Sequence, residues 1–217
     1  MKNLNLLSCL VLFVFATCNS AQRDEAQSLP LQVAEAYGFD RADEVESFEY
    51  TWNVRRDNGA VLSRTWNWNI KTGDVSYIGP DTAVQYNLAD KDTAMRAIDH
   101  SFINDKYWLL FPFQLAWDTG YEYETLPDQT APISGDNATK LTIRYNNEDG
   151  YTPGDAYDLY LDEDNRIIEW VFRKGNAESG RAMTWENVRD FNGIKIALDH
   201  KDASGNTILW FSEVSVN

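Results

Sequence analysis

Along most of the chain, large apolar residues recur at every second position and are interrupted by short polar turns, and this spacing constrains the fold more than any other feature. Phe48, Tyr50, Trp52 and Val54 alternate with Glu49, Thr51, Asn53 and Arg55, the pattern of an antiparallel strand that buries one face. Asp57-Asn58-Gly59 has the composition of a hairpin turn, because Asn and Gly tolerate positive φ. The return strand carries Leu62, Arg64, Trp66, Trp68 and Ile70 on one face, with Ser63, Thr65, Asn67 and Asn69 opposite. A turn at Lys71-Thr72-Gly73-Asp74 leads to a third strand over Val75 to Ile78, and Val84, Tyr86 and Leu88 mark a fourth.

The second half repeats the theme. Leu141, Ile143 and Tyr145 alternate before the acidic loop Asn146-Asn147-Glu148-Asp149-Gly150. Tyr157, Leu159 and Leu161 turn at Asp162-Glu163-Asp164-Asn165 and return as Ile168, Trp170 and Phe172. Met183 and Trp185 mark another strand, and Phe191-Asn192-Gly193 turns into Ile194, Ile196 and Leu198. After Ser204-Gly205-Asn206 the last strand is expected to present Ile208, Trp210, Val214 and Val216 on one face. Asp118 to Asp136, with Gly120, Pro127, Pro132 and Gly135, reads as loop.

Two stretches depart from this period. Leu29, Val33, Ala36 and Tyr37 recur at helical spacing, with Pro30 suited to a first turn and Gly38 to a stop. A second helix is expected from Asp90-Lys91-Asp92, with Ala94, Ala97, Ile98, Ser101 and Phe102 on one stripe and acidic residues near the positive end of the dipole. It runs into Asn104 to Asp118, the densest apolar segment downstream of the N-terminus. Pro112 is expected to break that segment, leaving a short helix or a bulged strand.

Roughly nine to eleven strands with two helices make a sheet too large to stay flat. The expected class is therefore mainly β with short helices (α+β), a single curved antiparallel sheet forming a half-open barrel closed by helices. The apolar middle segment serves as its plug or lid. No composition shift marks an internal boundary, so residues 29–217 read as one β-rich domain.

Residues 1–18 read as a leader. Lys2 precedes an apolar core from Leu6 to Ala16, too short to span a bilayer and laid out like a secretory signal. Two processing schemes remain open: lipidation of Cys18, with residues 19–28 as a polar tether, or ordinary cleavage near Ala21. Export to the periplasm, or anchoring at the outer membrane, is expected under one or the other. Both cysteines, Cys9 and Cys18, fall in this leader, so no disulfide and no catalytic thiol is expected in the fold.

Composition narrows the chemistry. A formal charge of −15 disfavours nucleic acid and electrostatic docking on anionic membranes, which leaves a lipid anchor as the expected route to a membrane. Two histidines, His100 and His200, are too few for a zinc site or a Ser-His-Asp arrangement, and each is expected at the surface or in packing. No phosphate-cradling Gly loop, Gly-x-Ser-x-Gly elbow or His-Glu-x-x-His is present. With 34 acidic residues, a carboxylate pair at glycosidase spacing arises by accident. Arg166 occupies a ligand position in Asp162-Glu163-Asp164-Asn165, which reads as a polar turn and not as a calcium loop. The residues call for no cofactor, no metal and no catalytic group.

The aromatic residues remain. Trp66 and Trp68 share a strand face and either line an acyl or sugar pocket or fill the core. With Trp108, Phe111, Phe113, Trp117 and Trp170 they form the candidate ligand-binding set.

The order of elements, with Tyr157-Asp158-Leu159-Tyr160-Leu161-Asp162 through Ile167-Ile168-Glu169-Trp170, then Trp185-Glu186-Asn187-Val188 and Phe191-Asn192-Gly193-Ile194-Lys195, resembles the Lol-type lipoprotein carrier and acceptor superfamily. Phe102-Ile103-Asn104-Asp105-Lys106-Tyr107-Trp108-Leu109-Leu110 is similar to a segment of uncharacterised exported proteins of Bacteroidota-type bacteria. The resemblance implies a half-open β-barrel closed by helices over an apolar cavity that holds lipid chains. The carriers also latch the lid with an arginine, a role that the sequence alone assigns to no position here. The expected function is thus a non-enzymatic cell-envelope binding protein with an apolar cavity for an acyl chain or other amphiphile. The alternatives are a structural or interaction lipoprotein with a filled core, and a carboxylate-based hydrolase.

Overall fold

The computed structural model describes residues 27–90, 92–146 and 152–217. The leader, Cys18, most of the tether and residues 147–150 of the acidic loop lie outside the described residues. The protein is mainly β, with two antiparallel sheets that do not close into a barrel.

Helix α1 (Leu29–Ala36) begins with Pro30 in its first turn and buries Val33 and Ala34. Gly38 ends it in the left-handed region at φ 92°. A Cβ at Gly38 would lie 2.1 Å from the Gly193 carbonyl oxygen, so both the backbone conformation and the close approach require glycine. Tyr37 ties this corner to the strands. Its carbonyl accepts from Lys195 N at 2.9 Å, and its hydroxyl accepts from Ile167 N at 3.1 Å.

The first sheet contains β1 (Ser47–Arg55), β2 (Val61–Asn69), β3 (Asp74–Ile78) and β4 (Ala83–Asn87), and is completed by the last three strands of the chain: β10 (Glu186–Phe191), β11 (Ile194–Lys201) and β12 (Thr207–Val216). Its order is β10-β11-β12-β1-β2-β3-β4. The second sheet runs in sequence order through β5 (Tyr121–Thr130), β6 (Asn137–Tyr145), β7 (Ala156–Leu161), β8 (Ile167–Arg173) and β9 (Arg181–Thr184). The expected single sheet is therefore two. The chain changes sheet at Trp185, between β9 and β10, where a strand that begins against β8 ends against β11. Strands commonly turn such corners at bends or bulges, and Asn187 at φ 54° lies just beyond this one. Thr184 stitches the corner, because its hydroxyl accepts from Lys201 N at 2.9 Å and its carbonyl lies 3.0 Å from His200 Nδ1.

Three other expectations change. Residues 121–130 form β5 and not a loop, paired with β6 from Tyr121↔Tyr145 onward; Pro127 sits where the register shifts, as proline does on edge strands. In β12 the buried residues are Leu209 and Phe211, with Val216 buried beyond Glu213 at φ 51°. A bulge there moves the inward face from odd to even positions, so Ile208 and Trp210 do not share a face with Val216. Helix α2 (Arg96–Trp117) passes through Pro112 in place of stopping. Pro112 cannot donate to the Trp108 carbonyl and crowds it, and the chain yields at Leu110, with φ −126° and ψ 32°.

Helix α2 lies between the sheets. Its residues are buried nearly all round from Phe102 to Leu115, as expected of a helix enclosed by the core. Phe102 meets Trp66 and Trp68 of the first sheet at ring distances of 5.4 and 5.6 Å. Phe111 meets Tyr157 and Trp170 of the second at 4.7 and 5.2 Å. No helix among the described residues is long and apolar enough to cross a membrane.

Candidate functional site

One face of α2, spaced by three and four residues, presents His100, Ile103, Asn104, Tyr107 and Trp108 to the second sheet. Opposite lie Tyr157 of β7 with Trp170 and Phe172 of β8. Thr152, Pro153 and Asp155, just before β7, form the rim. Together they enclose a cleft of about 540 Å³. The floor is aromatic: Trp108 lies 4.3 Å from Trp170, and Tyr157 lies 5.3 Å from both Trp170 and Phe172. The polar groups gather at the rim. Asp155 there accepts from Gly175 N at 2.7 Å, and Asn104 donates to Asp105 at 2.9 Å.

Two anchors hold the helix that forms this wall. Toward the first sheet, Arg64 of β2 grips Asp105 with both arms of its guanidinium, Nε at 2.7 Å from Oδ2, and Trp66 Nε1 donates to the same oxygen at 2.9 Å. The Asp105 side chain is fully buried. Burial pushes its carboxyl up, while Arg64, Asn104 and Trp66 favour the carboxylate. The Arg64 guanidinium also lies over Trp52, 4.0 Å from the ring centre. Toward the second sheet, Asp118 at the end of α2 accepts from Tyr107 at 2.6 Å and Tyr145 at 2.7 Å, and Tyr121 donates to the Leu115 carbonyl at 2.6 Å. Burial, reinforced by Asp118, drives the Tyr107 and Tyr145 phenols well above their ordinary range, so both remain donors.

Behind Trp108 sits His200, fully buried, with ring distances of 5.3 Å to Trp108 and 4.6 Å to Trp185. Burial lowers its pKa to about 4. His200 is thus neutral and donates from Nδ1 to the Thr184 carbonyl, and Nε2 has no partner among the described residues. His100, by contrast, stands exposed on the rim.

Of the seven aromatic candidates read from the sequence, Trp108 and Trp170 line the cleft. Trp66, Trp68 and Phe111 lie in the packed interior, and Trp117 borders it. Phe113 is buried in the same interior, beside Phe39 at 5.3 Å and Trp117 at 5.4 Å. Tyr107, Tyr157, Phe172 and Ile103 were not singled out as binding residues, although Tyr157 and Phe172 share an alternating face with Leu159 and Trp170. Buried carboxylates outside the cleft serve the fold: Asp158 pairs with Arg173 at 2.9 Å and Thr142 at 2.7 Å, and Glu169 accepts from Ile133 N and Ser134 N at 2.7 Å each. No group of three or more His, Cys, Asp or Glu able to hold a metal occurs among the described residues.

No family model and no curated protein matches the chain. Among solved structures, a DUF1329 family protein from Desulfovibrio piger is similar over 87% of this chain and 92% of its own, with 11% identity and a TM-score of 0.51. At that identity the likeness concerns the fold. A LolA superfamily protein from Nitrosomonas europaea aligns over 87% of this chain and 92% of its own, at 13% identity and a TM-score of 0.47.

Proposed function

We propose that this is a non-enzymatic binding protein of the cell envelope that takes an acyl chain or similar amphiphile into the cleft between α2 and the second sheet. The observation that carries the reading is the cleft itself, a space of about 540 Å³ with an aromatic floor and a polar rim. That size and lining suit a small amphiphilic ligand. Each buried methylene contributes about 0.8 kcal/mol. Ten of them contribute about 8 kcal/mol against the cost of association.

In this reading the protein is exported, residues 29–217 act as one domain, and Cys18 carries the lipid that ties it to the membrane. Cys18→Ala then moves it from the membrane fraction to the soluble fraction; unchanged fractionation contradicts the anchor. The ligand is tested by organic extraction and native mass spectrometry of the purified protein. A bound amphiphile supports the reading, and an empty protein that also fails to take up a fatty acid contradicts it.

One observation favours the alternative of a structural or interaction protein. Most of the aromatic candidates pack on one another, as in the chain of contacts from Phe48 through Trp68 to Phe102 and Trp117. That reading predicts the empty outcome.

A further inference from the structure

At one end of the molecule, the tips of the β1–β2 and β11–β12 hairpins meet the start of β9 around a second, polar groove of about 550 Å³. Arg55, Arg56 and Arg181 line it, together with Asn206 and Thr207. This convergence is unusual for a chain with 34 acidic and 19 basic residues. Arg41, Arg64, Arg144, Arg166 and Arg173 each pair with a carboxylate, and Arg189 donates to the Asn187 side chain. Among the described residues the three groove arginines make no side-chain salt bridge. Arg55 is steadied by Trp210, its guanidinium 5.7 Å from the ring centre.

Two carboxylates are near. Asp57 lines the groove. Asp202, which Arg181 faces, turns its Oδ1 back into its own hairpin, accepting from Ser204 N and Asn206 N at 2.9 Å each. Three guanidiniums against these two leave the groove cationic on an acidic surface. The hairpins also leave it open, because a Cβ placed at Gly59 or Gly205 on its edge would meet nothing within 4 Å. Three arginines lining one groove suit an oxyanion with several acceptors, of which the phosphate group is the best match.

We infer that Arg55, Arg56 and Arg181 form a binding site for a phosphate group, separate from the apolar cleft. The group is supplied by a free phosphate or by a phosphodiester headgroup. Titration calorimetry on the full chain, with inorganic phosphate and with glycerophosphoglycerol, a headgroup without acyl chains, tests the site and separates the sources. Saturable binding is expected, weakened by at least about tenfold in Arg56→Ala/Arg181→Ala and by less in Arg56→Lys/Arg181→Lys, which keeps charge but loses the fork. Tighter binding of the diester identifies a headgroup, and equal or tighter binding of inorganic phosphate identifies the free ion. Both arginines are exposed, so the variants should keep the wild-type circular dichroism spectrum. Absence of saturable binding of either compound, or undiminished binding by the alanine variant, overturns the site.

Discussion

Arg64 shows how a residue that looks misplaced in a sequence can organise a fold. It stands at an inward position of an otherwise apolar strand face, and its partner Asp105 is 41 residues away on α2. Alternation alone therefore gave no reason to choose it. Arg64→Met leaves Asp105 buried without its cation and is expected to cost about 3–5 kcal/mol in urea denaturation. Adding Asp105→Leu should recover much of that loss, and no recovery would mean that the pair contributes more than mutual neutralisation. His200 acts through its titration. In the unfolded chain imidazole titrates near 6.5, and burial in the fold lowers that to about 4. Below pH 6.5 the unfolded state takes up a proton that the folded state refuses. This contribution to stability is complete above pH 6.5 and declines as pH falls toward 4, by on the order of 3 kcal/mol. Denaturation curves across that window should be flatter for His200→Phe than for the wild type; identical slopes would exclude His200 as a source of acid sensitivity.

At the scale of elements, the hairpins were legible because each inward face repeats every second residue and each turn carries Asn, Asp or Gly. Helix α2 was legible only in halves. Its apolar residues lie on all sides because both sheets cover it, so no stripe distinguishes the helix from a buried strand, and Pro112 suggested an end where the chain merely kinks. Strand β5 was missed for the opposite reason: it is exposed along nearly its whole length, so no buried face shapes its sequence. As an edge strand with one neighbour, β5 should exchange its amide hydrogens at least about a hundredfold faster than β7, which is paired on both sides. Hydrogen-exchange mass spectrometry resolves the two segments, and equal protection would show that β5 is covered in solution.

In the whole molecule, two sheets hold one helix between them, and the cleft forms where that helix stands off the second sheet. The sequence made the apolar helix and the strand faces visible, and with them Trp108 and Trp170. It could not show that Tyr157 and Phe172 stand opposite Ile103 and Tyr107, because that concavity comes from pairing β7 with β8 and from the anchors at Asp105 and Asp118. The division into two sheets was hidden as well, since Trp185 lies within an apparently ordinary strand. Function in this reading depends on a ligand entering the cleft. Titration of the purified protein with a fluorescent fatty-acid analogue tests that most directly. Saturable binding is expected, weakened by at least about tenfold when Phe172→Glu places a charge in the apolar wall. No saturable binding by the wild type, or equal binding by the variant, would contradict it.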